Sequence, residues 1–465
     1  MPTLIRRMVY NCSLPAGRGR SLAGLHIEVR MKAIQVGLLG LGTVGAGVAK
    51  ILLSHRGELE EKIGAPVVLG AIADKDVTSP RSGLDLAGLP LSADVSAVLD
   101  DPAIDIVVEL IGGLEPARSF MLRALAGGKH VVTANKALLA THGEELYAAA
   151  AASGRMLAFE ASVAGGIPII RSVKEGLAAN RLVSLFGILN GTCNYILSKM
   201  TGEGREFAQV LAEAQARGYA EADPTFDIEG TDSAHKLQIL ATLAFRTPVK
   251  LDGIYVEGIS GITPLDIELA GEMGFRIKLL AIAKAADGEL ELRVHPTMIP
   301  ENTPMAAVSG VFNAIFLNGD AVGDLMFYGR GAGQMPTASS VCADIVEIAR
   351  RLAAGQPAVP QDLPILGRNP LRPKPMEDVL SSYYLCVFVL DQPAVLAQIT
   401  GILGRHKISI SSVIQKGRHS AKAVPVVMMT HRAREGSMQK AIEEINRLEV
   451  VVSDTRMIRV EEPAV

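Results

Sequence analysis

The sequence predicts an α/β protein with a doubly wound parallel sheet first, an α+β unit in the middle and a small ferredoxin-like unit last. Three observations predict it. A glycine-rich turn, Gly40 to Gly45, joins an apolar strand to a helix. Strands alternate with helices from Ala33 to Ala152, the pattern of a parallel sheet. Residues 381–460 run β-α-β-β-α-β, the split unit of the ferredoxin-like fold.

At 465 residues the chain exceeds one ordinary core, so two or three domains are expected. Hydrophobic residues make up 49% and charged residues 20%, a globular rather than a disordered balance. A formal charge of −3, with no Lys/Arg cluster interleaved with aromatics, argues against a nucleic-acid surface. Cys12, Cys193, Cys342 and Cys386 have neither CxxC nor metal-ligand spacing, so they read as ordinary thiols of a reducing, cytoplasmic compartment.

Residues 1–30 carry five arginines against the lone Glu28 and no apolar core of signal-peptide length. They read as a disordered extension or as the product of an upstream start, and the first domain opens at Met31. Ala33–Leu53 is apolar enough to mimic a membrane span, but Gln35, Lys50 and its patterned glycines argue for a strand, turn and helix instead. No membrane partner is expected.

In order, the strands of the first domain (31–159) are Ala33–Leu39, Val67–Ala73, Ile104–Ile111 and His130–Thr133. Its helices are Thr43–Leu53, Pro116–Ala126 and Glu144–Ala152. A second, catalytic domain (160–337) has longer mixed elements, among them a strand at Ser184–Leu189 and helices at Glu206–Arg217 and Thr231–Phe245. A helix at Ala338–Ala353, within 338–355, returns to pack on the first domain. The proline-rich stretch that follows makes 356–380 a linker. The last unit, standing apart, has strands at Tyr383–Leu390, Ile408–Gln415, Ala423–Thr430 and Val450–Ile458, with helices at Val395–Lys407 and Ser437–Leu448.

Gly40-Leu-Gly42-Thr-Val-Gly45 fits the dinucleotide-binding fingerprint in its proper context, after a strand and opening a helix. Glycine there permits the tight turn, the approach of the backbone to pyrophosphate and close helix packing. At the end of the next strand, Asp74 suits a ribose 2′-hydroxyl and hence NAD, whereas Lys75 and Arg81 suit the 2′-phosphate of NADP. Both cofactors stay open. Thr133 and Lys136 follow a parallel strand and should face the cofactor cleft, though a lysine here is equally a solvated turn residue.

The most unusual stretch runs from Gly218 to Lys236 and holds Glu221, Asp223, Asp227, Glu229 and Asp232. Asp232 and Lys236 stand four residues apart, so their side chains meet on one helix face. A local ion pair is the simple reading. Leu237, Ile239, Leu240 and Leu243 make the helix apolar, which favours a lysine emerging from packed surroundings into a cleft, where carboxylates tune a proton donor. Glu221 and Asp227 suit a substrate ammonium. His235 reads as a packing residue.

With these residues in place, the chain from Met31 to about residue 460 resembles the homoserine dehydrogenases of the long, regulated bacterial type. The likeness is carried by the glycine loop, Thr133–Lys136, Glu160–Pro168, Asn190–Tyr195, the spaced run from Ala214 through Gly218, Asp223-Pro224, Asp227, Gly230 and Asp232 to Lys236, and Gly329–Gly333. The resemblance implies NAD(P)-linked interconversion of L-aspartate 4-semialdehyde and L-homoserine, in threonine and methionine biosynthesis. It implies Lys236 as catalytic acid/base with Asp232 as its partner, and Lys136 between nicotinamide and substrate. Gly218, Glu221 and Asp227 would hold the substrate, with Thr43, Val44 and Gly333 against the cofactor. It further implies a monovalent cation, sodium, at Glu160, Val163, Gly165 and Ile167, taken as alternate residues of an extended run.

The final unit resembles an ACT domain, a small amino-acid-sensing fold. Asp391 and Pro393 lie in its first strand-to-helix loop, with Ala394 where glycine is usual, and Ile410 and Ser411 lie on its second strand. Threonine as effector and a homodimer or homotetramer are implied. A hydroxyacid dehydrogenase with an ACT tail would need its glycine loop in mid-chain. A sensor without chemistry would leave the Asp232/Lys236 pair unexplained.

Overall fold

A computed structural model describes residues 32–81, 83–356, 369–415 and 423–462. The expected N-terminal extension, Cys12 and most of the expected linker lie outside the described residues.

The first domain is a six-stranded parallel sheet in the order Leu91–Ser92, Val67–Ala73, Ile34–Leu39, Ile106–Glu109, His130–Thr133 and Leu157–Ala158. Its inner strands are continuous apolar runs because both faces are covered by helices. Strand order reverses between Ile34–Leu39 and Ile106–Glu109, which opens a crevice beyond their carboxyl ends. The return helix spans Gln334–Ala353 and packs on Thr43–Ser54. It starts ahead of the expected Ala338, immediately after Gly333 at φ 118°. A Cβ on Gly47 would stand 2.9 Å from the Ala338 Cβ, so the two helices meet at close range.

The second domain supplies Gly323–Arg330, Phe312–Gly319, Leu182–Ile188, Phe275–Ala286 and Glu289–Pro300, adjacent in that order. The two longest strands form a hairpin closed by Asp287 and Gly288, whose φ values of 52° and 77° suit the twist of a two-residue turn.

The C-terminal unit has the expected element order but does not stand apart. Its strand Arg456–Val460 pairs antiparallel with Leu380–Leu390 and parallel with Glu289–Pro300, so both domains share one twelve-stranded sheet. That strand begins later than expected; Val451 makes only an isolated bridge to Val389. The end of the expected linker is also structured. Arg372–Pro373 pairs with Glu289–Leu290, and Met376–Asp378 forms a short 3-10 turn. Cys193, Cys342 and Cys386 are free and buried.

Candidate active site

The three glycines of the loop divide their work. Gly40 has φ +95°, and a Cβ there would lie 2.9 Å from the Leu110 carbonyl; a Cβ on Gly45 would lie 2.1 Å from the Gly40 oxygen. Both serve the turn itself. Gly42 has an ordinary φ of −69° and open space around it, since a Cβ would meet nothing within 4 Å. Its bareness is what a pyrophosphate needs, and the N-terminus of Thr43–Ser54 points donors at the same space. Gln334, directly after Gly333, donates to the Thr43 carbonyl at 3.0 Å, which ties the start of the return helix to the start of Thr43–Ser54.

Asp74, at the end of Val67–Ala73, is bonded to the glycine loop. Its carboxylate accepts from Leu41 N and from Asp76 N at 2.8 Å, while Arg81 Nε donates to the Leu41 carbonyl at 2.8 Å. Asp74 and Arg81 therefore brace the glycine loop from both sides. Thr133 is buried, its hydroxyl donating to Glu109 Oε2 at 2.7 Å and accepting from Asn135 N at 3.0 Å. Glu109 in turn accepts from Ile111 and Gly112 N, fixing the crevice floor.

Lys136 is no turn lysine. It is the first residue of a helix, Lys136–Ser153, that starts earlier than the expected Glu144 because Asn135 caps it by accepting from Leu138 N at 3.1 Å. The Lys136 Nζ stands 3.3 Å from Asp232 Oδ1. On the helix Thr231–Phe245, Lys236 Nζ stands 2.6 Å from Asp232 Oδ2 and donates to the Leu189 carbonyl at 2.6 Å. Asp232 is only 3% exposed. Burial opposes its charge, but the Lys236 and Lys136 ammonium groups and the Asn190 amide outweigh burial and hold its carboxyl at about 2.

Asn190 binds the cluster together. Its Nδ2 donates to Asp227 Oδ1 at 2.7 Å and Asp232 Oδ2 at 2.9 Å, while its own oxygen accepts from Cys193 N at the start of Gly191–Glu203. Asp227 also accepts from the Thr192 hydroxyl at 3.3 Å, and burial raises its carboxyl above the ordinary value. The turn between Asp227 and Asp232 is set by Gly230 at φ +85°, where a Cβ would press within 3.1 Å of Val256.

Gly218, at φ +71°, ends the helix Phe207–Ala216 and sends the chain to the rim. Glu221 is exposed there, with its main-chain carbonyl held by Gln215 Nε2 at 3.1 Å. Phe226 is 42% exposed, with the Lys136 Nζ 5.9 Å from its ring centre. His235 packs edge-on against it at 5.3 Å, as expected of a packing residue, and burial lowers its pKa.

Sequence reasoning assigned no role to Asn190, the Leu189 carbonyl or Glu109. Asn190 entered only as the first residue of the run Asn190–Tyr195 that carries the family likeness.

The expected cation run is not extended. Glu160–Ser162 is a 3-10 turn, Val163 is extended, and Ala164 and Gly165 then reverse the chain at φ 54° and 50°. The Glu160 carboxylate accepts from Ile170 N at 2.8 Å and Arg171 N at 2.9 Å, so it caps a helix. Burial raises both it and the neighbouring Asp344 above the usual carboxylate range. Hence Glu160, Val163, Gly165 and Ile167 have main-chain carbonyls to offer, and that of Ile167 already accepts from Ile169 N at 2.8 Å. Among the described residues, no cluster of His, Cys, Asp and Glu has metal-holding form.

In the C-terminal unit, Asp391, Pro393 and Ala394 line a half-open cavity of about 590 Å³ together with Gln415 and Val426. Ile410 and Ser411 do not line it; their strand reaches the cavity only at its far end, Gln415. Ala394 holds φ +69°, the conformation glycine adopts without strain.

An ammonium group held by a buried carboxylate and a carbonyl, with Lys136 at the carboxyl end of the parallel sheet on the same carboxylate, is equipped to give and take a proton. The homoserine dehydrogenase profile matches residues 168–346, the profile of that family's NAD-binding domain matches 40–160, and the ACT domain profile matches 383–450. The homoserine dehydrogenase of Pseudomonas aeruginosa is 46% identical over 443 residues, covering 93% of this chain and 100% of that protein. The crystal structure of a homoserine dehydrogenase from Thiobacillus denitrificans is 48% identical with a TM-score of 0.87, covering 93% of this chain and 99% of the other. That of the S. aureus homoserine dehydrogenase is 34% identical with a TM-score of 0.73 over the same shares.

Proposed function

Because the chain belongs to the homoserine dehydrogenases, NAD(P)-dependent oxidoreductases with here a C-terminal ACT domain, we propose that Lys236 is the proton donor and acceptor of the reaction. The observation that carries this reading is the Lys236 ammonium 2.6 Å from a carboxylate that is itself buried and ionised. The open face of Gly42 and the donors of the following helix fit NADP or NAD. When bound, the reduced nicotinamide supplies hydride to the carbonyl carbon of L-aspartate 4-semialdehyde.

Lys236 then protonates the oxygen that gains charge, and Asp232 holds the lysine in place beforehand. Asp227, Glu221 and the Gly218 turn hold the substrate ammonium, and Lys136 screens the carboxylate from the nicotinamide side. Oxidation of homoserine needs Lys236 neutral, so it gains at alkaline pH. We place the enzyme in threonine and methionine biosynthesis, in the cytoplasm, as a homodimer or homotetramer. No helix among the described residues is long and apolar enough to cross a membrane.

A monovalent cation such as sodium would be held by main-chain oxygens of Glu160, Val163, Gly165 and Ile167, a hard-donor set that fits it, and would stiffen the turn that carries them. Threonine is the proposed effector, and the Asp391–Ala394 cavity has the size for an amino acid. Initial rates with aspartate semialdehyde and each reduced cofactor, with and without threonine, test the whole reading. Absence of turnover with either cofactor overturns the activity, and equal rates at saturating threonine overturn the effector.

A further inference from the structure

The C-terminal domain touches the second domain through a buried guanidinium. Arg459 is fully buried on the shared strand Arg456–Val460. It donates to Glu435 of its own domain through Nε at 2.9 Å and Nη2 at 2.5 Å, and across the seam to Glu257 Oε2 at 2.7 Å and the Tyr255 hydroxyl at 3.1 Å. Arg293 pairs with Glu461 and Arg456 pairs with Asp266 at 3.0 Å, so the strand is pinned at both ends. Charge-assisted bonds of this kind make the seam stiff; the guanidinium is buried, while the Glu257 side chain is 38% exposed at its edge.

Beyond Glu257 the contact runs without slack. Gly258 lies against the turn that follows Asp227, where a Cβ would fall 2.5 Å from the Ile228 carbonyl and from Glu229 Oε2. Ile259 N donates to the Ile228 carbonyl at 2.8 Å, and the Glu257 carbonyl itself faces Gly230. Closely packed backbone passes a displacement on, because there is no void to absorb it. The turn so supported, Ile228 to Gly230, joins Asp227 to Asp232.

We propose that Glu257 is a positioning residue for the substrate carboxylates, held by Arg459, and that this seam carries the state of the C-terminal cavity to the active site, since the strand Leu380–Leu390, whose end lines that cavity, pairs along Ser382–Cys386 with Arg456–Val460. The second half of this inference rests on the effector reading above; the first half does not. Movement of Arg456–Val460 draws Glu257 with it, and Glu257–Ile259 draws the turn that orients Asp227. The cofactor loop, on the other domain, is not on this route.

The test uses the full-length enzyme with Glu257→Gln, which keeps the side chain's shape, and Arg459→Lys as a second variant. We expect the homoserine KM of Glu257→Gln to rise at least about fivefold while the cofactor KM stays within about twofold and the melting temperature is unchanged. Threonine is the effector probe, followed by calorimetric binding and by inhibition. Threonine that still binds Glu257→Gln but inhibits it at least about tenfold less effectively supports the coupling; inhibition equal to that of the wild type overturns it. An unchanged homoserine KM in both variants overturns the positioning role. Should threonine fail to bind the wild type, the effector reading falls by itself, and the split between the two KM values alone supports or overturns the role of Glu257.

Discussion

Replacing Lys236 by methionine removes the ammonium while keeping much of the side chain's volume, and two separate magnitudes follow. The first is catalytic. A positioned proton donor contributes about 10²–10⁴-fold, or about 3–5 kcal/mol of barrier, so kcat in both directions should fall by that factor. Cofactor affinity, set at Gly40–Gly45, should be unchanged. The second magnitude is a stability. The Asp232 carboxyl is displaced from 3.8 to about 2, which corresponds to about 2 kcal/mol of preference for the charged form in the folded protein. Its folded value lies below its unfolded one, so this contribution is present above 3.8 and is lost as pH falls through about 2. Without Lys236, Asp232 keeps only Lys136 at 3.3 Å and the Asn190 amide. Lys236→Met should therefore be less stable at neutral pH by a good part of that amount, with the gap closing towards about pH 2. Initial rates, cofactor titration by fluorescence and urea unfolding at neutral and acid pH measure these quantities. A kcat within about threefold of the wild type, or cofactor binding lost together with turnover, would refute the reasoning.

Further outcomes can be set against other residues. Burial raises the Asp227 carboxyl, so it takes up a proton at a higher pH than an ordinary carboxylate; the homoserine KM should climb on acidification while still above pH 3.8, and Asp227→Asn should flatten that profile. Gly42→Ala should melt like the wild type yet raise the cofactor KM at least about tenfold, because its Cβ enters only the space a pyrophosphate fills. Gly45→Ala, with its Cβ 2.1 Å from the Gly40 oxygen, should lose stability as well; identical behaviour of the two variants would contradict the division of roles. Ala394→Gly should stabilise the protein by about 1 kcal/mol against denaturant by relieving φ +69°, and a neutral or lower midpoint would show that the loop carries no strain.

The parallel sheet was legible because strands covered on both faces are written as unbroken apolar runs, and Val67–Ala73 and His130–Thr133 were located to the residue. The Asp232–Lys236 pair was legible because helical spacing alone brings the two together. Lys136 and Asn190 come to the same carboxylate from distant elements, and no local pattern encodes that meeting. The bond from Asp74 to the glycine loop was hidden for a related reason, since a carboxylate after a parallel strand looks the same in sequence whatever donors it meets. The join between the two sheets was hidden because a strand's alternation tells which face is buried and nothing about which neighbour completes its edge.

Parallel pairing of Thr297 with Arg459 ties a strand made early to one made late. During translation the outer edge of Glu289–Pro300 waits, its amides and carbonyls bare over the pairing region, until residues 456–460 leave the ribosome. In that interval the nascent chain offers a ready template for a second nascent chain. Yield at high expression should thus be limited by aggregation, and chaperone supply or slower synthesis should relieve it.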